Sequence, residues 1–394
     1  MDNLNNLPAE IISDVLTCLP AETVLDCKLV SKTWRDLIKH PLFYKMHTNR
    51  LINHSATAAY STDSGKLGFL ALAQDKKLYY FEYVENHNKP IDNFKNIILT
   101  PPIQNYKYNY VGSFNGLICL RAVGENIFMY NPMTKEYVFL PQPTINFYRI
   151  KQRWFGFGYL PSTGEYKVVL MYKVPKFVEV IVYTLGSGNG WRNIGQFKLE
   201  FNYVYEGHGV FVNGALHWMH NARARARRMI LVFDLADEKF CEHLSPPLVP
   251  IACNYLVVGV LGGFLFCADR HFCSVSRQYV SSDIWVYKKN NDNYSMKELD
   301  EHRSLGWSKV FTNVYSIPLA FTKSGDVLTY SLSFLSIYDA KSSTLKKILV
   351  PFKEQFCQIS PHRNTFGSLK ELGEGNAKTV ESVKTKKRKS RDYA

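Results

Sequence analysis

The sequence has no apolar stretch long enough to cross a bilayer. Its longest apolar run extends from Leu256 to Ala268 and contains three glycines, whereas a spanning helix needs about 20 apolar residues. This run predicts a buried pair of strands. The N-terminus, Met-Asp-Asn-Leu-Asn-Asn, has neither a basic region nor a long apolar region. We therefore expect no signal peptide and no membrane partner.

The sequence also lacks paired cysteines of any familiar spacing. Its eight cysteines are scattered and include no Cys-x-x-Cys, which predicts buried thiols in a reducing compartment. Cys267, His271 and Cys273 could supply three zinc ligands, but a fourth ligand at a familiar spacing is missing. A buried thiol beside a loop histidine explains this pattern better, so we expect no metal site.

The common signatures of catalysis are missing as well. The chain has no Gly-x-x-x-x-Gly-Lys phosphate loop, no Gly-x-Ser-x-Gly elbow and no His-Glu-x-x-His motif. Gly156-Phe-Gly158 opens like a dinucleotide-binding motif, but Pro161 stands where the third glycine should be. These absences predict a chain that is not an enzyme, with no catalytic residues and no cofactor.

What the sequence does have is a local excess of positive charge. The 394 residues carry a formal net charge of +14. Six basic residues lie between positions 384 and 391, and four arginines lie between 223 and 228. A nucleic-acid-binding fold usually spreads its basic residues over a face or groove. This distribution instead predicts a nearly neutral body with basic appendages, and we do not expect nucleic acid as a partner.

Each basic segment has two interpretations. The first contains Arg223, Arg225, Arg227 and Arg228. It is either a solvated loop or a contact for an acidic protein surface or a phosphate. The second contains Lys386, Lys387, Arg388 and Lys389. It resembles a nuclear import patch, or it is a solubilising tail. We expect the protein in the nucleus, the cytoplasm or both.

Residues 1 to about 45 predict three short helices. Ile12, Leu16 and their apolar neighbours recur at three-to-four spacing, which indicates one apolar helix face. A second short helix follows Pro20, and a third ends before Pro41 because the residue before proline resists helical geometry. Three short helices do not easily bury a stable core. They form either a cap on the larger domain or a docking module that another protein completes.

From about residue 60 to 352 the pattern changes to short strands separated by glycine-containing turns. The turn glycines are Gly65, Gly116, Gly164, Gly214, Gly263 and Gly325. Their intervals are 51, 48, 50, 49 and 62 residues, which is close to the period of a kelch-type propeller blade. The spacing predicts about six blades. A pair of β-sandwiches is the alternative, but it would not require near-constant spacing.

The N-terminal residues closely resemble an F-box. Leu7-Pro8, Leu19-Pro20 and Val30-Ser-Lys-x-Trp34 appear in order over about 40 residues. The rest of the chain resembles the plant F-box-associated, kelch-like interaction domain, including that of S-locus F-box relatives. That second resemblance depends on Asn115-Gly-Leu-Ile-Cys-Leu120, Asn131-Pro-Met-Thr134, Phe155-Gly-Phe-Gly158 and Asn213-Gly-Ala-Leu-His-Trp218. The insertion around the arginines departs from the commonest spacing.

This resemblance implies a non-catalytic substrate receptor of a Skp–cullin–F-box ubiquitin ligase. Such a receptor binds a Skp-type adaptor, and through it a cullin and a RING subunit, and promotes ubiquitination and degradation of a target protein. The expected adaptor-binding residues are Leu7, Pro8, Ile12, Leu16, Leu19, Pro20, Leu25, Val30 and Trp34. The alternative is a nuclear, nucleic-acid-associated or scaffold protein that uses the basic tail and has no ligase function.

Together these patterns predict an α+β chain: a three-helix F-box followed by an all-β, kelch-like propeller. The expected boundaries are 1–45 for the F-box, 46–60 for a linker, 61–355 for the substrate-binding propeller and 356–394 for a basic tail. The tail is rich in Gly, Lys, Ser and Glu from about residue 365, so we expect it to be disordered.

Overall fold

The computed structural model describes residues 7–53, 67–75, 77–85, 95–97, 108–122, 126–145, 150, 152–198, 208–220, 228–248, 254–273, 278–288, 306–331, 334–348 and 355–379. The chain divides into two compact units. The first comprises Met1–Gln142, Leu185–Gly188 and Cys357–Ala394, and the second comprises Pro143–Thr184 and Asn189–Phe356. Over the described ranges, none of the helices combines the length and the apolar character that a membrane span requires.

The N-terminal region contains four helices: α1 (Ala9–Thr17), α2 (Ala21–Cys27), α3 (Lys32–Lys39) and α4 (Pro41–Asn53). The predicted number of three is wrong because Pro41 not only follows α3 but also begins α4. Proline is tolerated there since the first-turn N–H has no helical partner. The predicted linker at 46–60 is wrong for residues 46–53, which belong to α4. Residues 54–60 lie outside the described residues.

The first unit contains two sheets. One consists of β1 (Leu67–Ala73), β2 (Leu78–Tyr83), β3 (Lys95–Ile97) and the late strand β24 (Phe356–Pro361), in the order β24-β1-β2-β3. The other consists of β4 (Tyr108–Phe114), β5 (Leu117–Ala122), β6 (Ile127–Asn131) and β7 (Glu136–Phe139), with β25 (Lys378–Thr379) added beside β7. Aromatic and branched side chains of both sheets, such as Tyr80, Leu120 and Phe128, share one buried cluster.

The second unit contains four antiparallel groups of four successive strands. The first two are β8 (Arg153–Leu160), β9 (Glu165–Lys173), β10 (Val178–Thr184), β11 (Trp191–Phe197), then β12 (His208–Val212), β13 (Ala215–His220), β14 (Met229–Asp234), β15 (Lys239–Phe240). The next two are β16 (Asn254–Leu261), β17 (Phe264–Cys273), β18 (Gln278–Tyr287), β19 (Trp307–Val314), then β20 (Ile317–Phe321), β21 (Val327–Tyr330), β22 (Leu335–Asp339), β23 (Thr344–Ile348). A short parallel pairing of β8 with β12 joins the first two groups.

The described residues therefore contain six groups of four strands, and the prediction of an α+β chain with about six propeller blades is confirmed. Two hairpin turns explain why the blades could be predicted from the sequence. Asn213 and Gly214 both have positive φ, 51° and 78°, as a two-residue hairpin turn requires. Asn115 and Gly116 repeat this geometry with φ values of 46° and 79°.

Gly156 and Gly209 make the junction of β8 with β12 possible. A Cβ on Gly209 would lie 2.5 Å from the ring of Trp218, and one on Gly156 would lie 2.9 Å from the same ring. The indole Nε1–H of Trp218 donates a hydrogen bond to the carbonyl oxygen of Phe155 at 3.1 Å. The Gly156-Phe-Gly158 sequence is thus a site of close strand packing, which agrees with rejecting it as a dinucleotide motif.

The predicted disordered tail at 356–394 is wrong for residues up to 379. Residues 356–361 form β24. We call the following residues, 362–375, the C-terminal segment, and this segment packs against other parts of the first unit. Phe366 and Leu369 are buried at 8% and 0% exposure. The prediction of disorder failed because it relied on the small number of large apolar residues in this segment. Two of them, Phe366 and Leu369, together with many polar contacts, are enough to hold the segment in place. Residues 380–394 lie outside the described residues.

Candidate functional site

Helix α1 presents an apolar face to solvent. Ile11 and Val15 are four residues apart, so they lie on one side of α1, and Leu7 precedes the helix two residues before its first turn. Their exposed fractions are 47%, 51% and 38%. Large apolar side chains that remain half exposed on a helix form a surface that gains free energy when another molecule covers it. We call these three residues the outer face of α1.

The opposite side of α1 is buried within the chain. Ile12 and Leu16 are 3% and 0% exposed and belong to one cluster with residues of α2, α3 and α4. Phe366 of the C-terminal segment belongs to the same cluster, and Met133 between β6 and β7 packs against it. The helices therefore have two apolar sides, and their own chain covers only one of them.

Other exposed apolar side chains lie nearby in sequence. Leu29 and Val30, between α2 and α3, are 80% and 61% exposed, and Leu42 and Met46 on α4 are 62% and 44% exposed. Seven of the twelve exposed large apolar side chains in the described part of the chain lie between residues 7 and 46. This concentration is the compositional mark of a protein-binding surface.

A hydrogen-bonded cap fixes the start of α3 beside this surface. The Oγ of Ser31 accepts a hydrogen bond from the backbone N–H of Trp34 at 3.1 Å, which satisfies one of the donors that a helix start leaves without a helical partner. The Trp34 side chain is partly buried and packs against the helical cluster. The cap therefore sets where the Val30-to-Trp34 stretch enters the helix.

Phe366 completes the helical cluster from the far end of the chain. Its ring lies 5.5 Å from the His47 ring in an edge-on arrangement, and the Lys28 Nζ lies 5.1 Å from its centroid. The Lys28 ammonium over the ring face makes a cation–π contact, while burial lowers the pKa of Lys28. The Nε2–H of the buried His47 donates a hydrogen bond to the Leu19 carbonyl oxygen at 2.8 Å.

Comparison with known proteins identifies both regions. A sequence model of the F-box associated beta propeller domain matches residues 67–363, and an F-box-like model matches residues 4–50. The chain belongs to the F-box-associated β-propeller family. The four helices are its F-box, and the strands that follow are its propeller domain.

Relatives in Arabidopsis thaliana support the same assignment. F-box protein At3g07870 is 27% identical over 328 residues, which cover 75% of this chain and 71% of that protein. F-box protein CPR1 is 27% identical over 338 residues, which cover 78% and 72%. Among solved structures, the β-propeller domain of the Trilobed protease from Pyrococcus furiosus is 13% identical with a TM-score of 0.35, covering 62% of this chain and 72% of that one. That likeness is too distant to carry an argument.

The structure divides the nine expected adaptor-binding residues of the F-box. Leu7, Pro8 and Val30 are exposed, whereas Leu19, Pro20, Leu25 and Trp34 are partly buried. Ile12 and Leu16 are buried in the chain's own cluster, so this structure exposes little of either side chain, and their direct contact with an adaptor stays a prediction. The helical period places the centre of the Ile12–Leu16 pair about 100° around α1 from the centre of the Ile11–Val15 pair.

Sequence reasoning missed five exposed apolar residues of the F-box: Ile11, Val15, Leu29, Leu42 and Met46. One signal could have identified two of them. Ile11 and Val15 are four residues apart, which marks a second apolar stripe on α1 beside the Ile12–Leu16 stripe, and Leu7 continues this spacing just before the helix.

The arginine-rich segment of the propeller is described at one residue. Arg223, Arg225 and Arg227 lie outside the described residues, as do Lys386, Lys387, Arg388 and Lys389. Arg228 is partly buried just before β14. Burial and the charge of Asp269 raise the pKa of the Cys267 thiol, and the charge of Arg228 opposes them. Target binding by the four arginines therefore stays a prediction.

The described residues hold no group of His, Cys, Asp and Glu side chains that could bind a metal ion. Cys267 is fully buried, and its pKa is raised. His271 lies 3.5 Å from the Asp269 carboxylate and within 3.2 Å of the Ser281 hydroxyl, while the Cys273 side chain lies outside the described residues. His217 faces the carbonyl of Val210 at 3.3 Å, and burial lowers its pKa. These groups serve packing and hydrogen bonding between strands.

Proposed function

We propose that this chain is the substrate receptor of a Skp–cullin–F-box ubiquitin ligase. The F-box binds a Skp-type adaptor, which connects the chain to a cullin and a RING subunit, and the propeller binds a target protein. The chain itself breaks and forms no bonds. It raises the local concentration of the target near the conjugating enzyme, and that increase accelerates ubiquitin transfer.

The observation that carries the adaptor proposal is the outer face of α1. The Ile12–Leu16 side of the helix is already covered by residues of α2, α3 and α4 together with Phe366, so the exposure of Leu7, Ile11 and Val15 is not the result of an unfinished intramolecular core. Covering such apolar side chains removes their surface from water and favours binding. An adaptor surface is the occupant that an F-box implies.

The arrangement of the first unit supports a target site at one end of its second sheet. The F-box and C-terminal segment contact the β4–β5 turn at Asn115 and the β6–β7 turn at Met133. The end of β5 at Ala122 and the start of β6 at Ile127 lie at the opposite end of this sheet, because successive antiparallel strands reverse direction. We propose that the target binds at that opposite end. As a separate contact on the second unit, we propose that Arg223, Arg225, Arg227 and Arg228 bind the target.

The adaptor proposal is tested with one charge placed on the outer face. Val15 and Val84 are both valines with 51% exposure, but Val84 follows β2 and lies outside the F-box. We expect Val15→Glu to weaken binding of a purified Skp-type adaptor at least about tenfold, since an unpaired carboxylate would be buried, and Val84→Glu to leave it unchanged. Equal adaptor affinity in both variants would falsify the proposal.

The same preparation distinguishes the alternative function. A nucleic-acid-associated protein would bind DNA or RNA with an affinity that falls steeply with salt, and removal of residues 384–391 would abolish that binding. Full-length chain that binds nucleic acid in this way, and does not bind the adaptor, would favour the alternative over the ligase receptor.

We propose that the protein resides in the nucleus, the cytoplasm or both. The Lys386-Lys-Arg-Lys389 run supports nuclear import. Replacing these four residues by alanine in a fluorescent fusion should move signal from nucleus to cytoplasm. An unchanged distribution would leave the run as a solubilising tail.

A further inference from the structure

The C-terminal segment bonds to the F-box and to the propeller at the same time. On the F-box side, Phe366 lies in the helical cluster, and the Asn364 Nδ2 donates a hydrogen bond to the Glu22 carboxylate on α2 at 2.5 Å. Glu22 also acts on the buried Tyr80 of β2. Burial is the largest cause that raises the pKa of the Tyr80 hydroxyl, and the charge of Glu22 and a hydrogen bond with it raise that pKa further. The junction therefore links α2, β2 and the segment.

On the propeller side, the segment is bonded to the two turns at one end of the β4–β7 sheet. The Thr365 hydroxyl donates to the Asn115 carbonyl at 2.5 Å. The Asn131 side-chain amide donates to the carbonyls of Thr365 and Gly367 at 3.1 Å and 2.7 Å. Most of these groups are buried, so breaking one leaves a polar atom without water.

Two further contacts hold the segment on either side of this point. The buried His362, 1% exposed, has its Nδ1 2.6 Å from the Ser113 hydroxyl and its Nε2 3.0 Å from the Asn364 Oδ1. The Glu136 carboxylate on β7 accepts from the backbone N–H of Leu369 at 2.6 Å. The segment also passes close to α4, since a Cβ on Gly367 would lie 2.8 Å from the Tyr44 hydroxyl oxygen.

We propose that the C-terminal segment is a strap that fixes the orientation of the F-box on the β4–β7 sheet, so that the adaptor and a propeller-bound target are held at a defined distance. The defined distance between adaptor and target rests on the proposed function, whereas the fixed orientation of the F-box on the β4–β7 sheet does not. Asn364, Thr365 and Phe366 are positioning residues, because they act through their contacts with Glu22, Asn115 and the helical cluster.

A distance measurement between the F-box and the propeller tests the strap directly. Cys18 at the end of α1 and Cys357 on β24 are exposed and accept nitroxide spin labels in the full chain, once Cys241, Cys253 and Cys273 are replaced by serine. The other three cysteines, Cys27, Cys119 and Cys267, are buried. Electron–electron double resonance then gives the distribution of distances between the labels.

Three variants are compared with the labelled parent chain. Phe366→Ala removes the apolar anchor. Asn364→Ala with Thr365→Ala removes the side-chain hydrogen bonds to Glu22 and Asn115 while leaving the helical cluster complete, which keeps the test valid if the first variant loosens the helices themselves. Lys370→Ala is the matched control, because Lys370 lies in the same segment and is exposed. We expect a narrow distribution in the parent and the control, and at least a twofold wider one in the other two.

The ligase consequence is measured with the same variants in a reconstituted complex with Skp-type adaptor, cullin and RING subunit. We expect adaptor affinity within about twofold of the parent, and self-ubiquitination spread over more lysines of the chain. An equally narrow distance distribution in all variants would overturn the strap. If the two variants show the wider distribution but the parent chain binds no adaptor, the proposed function is overturned and the strap remains supported.

Discussion

Glu238 connects two neighbouring groups of strands in the second unit, and its removal gives the sharpest stability prediction. Its Oε1 lies 2.9 Å from the Lys167 Nζ on β9. Arg192 on β11 donates two hydrogen bonds, from Nη2 to Oε1 at 2.6 Å and from Nη1 to Oε2 at 2.9 Å. Glu238 itself lies between β14 and β15, so Glu238→Gln should weaken the propeller at this junction.

The loss of stability in Glu238→Gln follows from the two cations, Lys167 and Arg192, that lose their negative partner. The Lys167 side chain is 7% exposed and that of Glu238 is 13% exposed, so water cannot replace the lost charge. Removing one partner of a buried ion pair costs about 3–5 kcal/mol. Glu165 remains 3.4 Å from the Lys167 Nζ, and the Leu235 carbonyl still accepts from it at 3.2 Å. We therefore expect the lower end, about 3 kcal/mol.

Asp237→Asn is the control for this measurement. It makes the same chemical change one residue earlier, but the Asp237–Lys239 pair is 58% and 62% exposed, and such surface pairs contribute little. By calorimetry, Glu238→Gln should lower Tm by about 6 °C or more, while Asp237→Asn leaves Tm within about 1 °C. Equal shifts in the two variants would refute the claim that burial makes the Glu238 cluster important.

The pH dependence adds a second check on the same residue. Burial raises the pKa of Glu238, but the hydrogen bonds and charges of Arg192 and Lys167 outweigh it and hold the pKa below its usual value. The stabilisation is therefore complete above the unfolded pKa of about 4.3 and is lost as pH falls through the folded pKa. The Tm gap between parent and Glu238→Gln should shrink in strong acid.

Three further predictions concern other parts of the chain. Burial lowers the pKa of His362 to about 4, below the unfolded value of about 6.5. The contribution of His362 to the free energy of unfolding is therefore complete above about pH 6.5 and falls by about 2 kcal/mol between pH 7 and pH 5. In urea titrations, His362→Gln should reduce this dependence of the unfolding free energy on pH. Gly209→Ala should cost about 1–3 kcal/mol because its Cβ meets the Trp218 ring, whereas Gly375→Ala, with open space around it, should be neutral. Ser31→Ala should cost about 1 kcal/mol by removing the α3 cap, and Ser31→Asp should retain most of it; equal loss in both would contradict the cap.

The propeller could be predicted from the sequence because its signals are local. Each hairpin glycine lies within the turn that it permits, as at Asn115-Gly116 and Asn213-Gly214, and near-constant spacing repeats the unit. The F-box motif is equally local. The count of helices failed at Pro41 because proline ends one helix and begins another with the same fixed φ, and the sequence pattern does not distinguish these roles when the two helices are adjacent.

The outer face of α1 could not be assigned in the same way. Two apolar stripes run along α1: one is Ile11–Val15, continued before the helix by Leu7, and the other is Ile12–Leu16. Periodicity alone predicts either stripe to be the buried one. The buried stripe is the one that packs with α2, α3, α4 and Phe366, and Phe366 is about 350 residues away in sequence, in a segment whose composition indicates disorder. Long-range contacts of this kind override local pattern, because a single buried aromatic ring supplies as much apolar area as several smaller residues.

The position of Phe366 also changes what kind of module the F-box is. If the four helices were complete by themselves, their orientation on the propeller would depend on a linker, and the distance from adaptor to target would vary widely. Because the helical core includes a residue that follows β24, folding of the F-box and closure of the β24-β1-β2-β3 sheet are linked by the same short stretch of chain. Under the proposed function, the outer face of α1 is the surface left for the adaptor, and the proposed strap presents it from one direction.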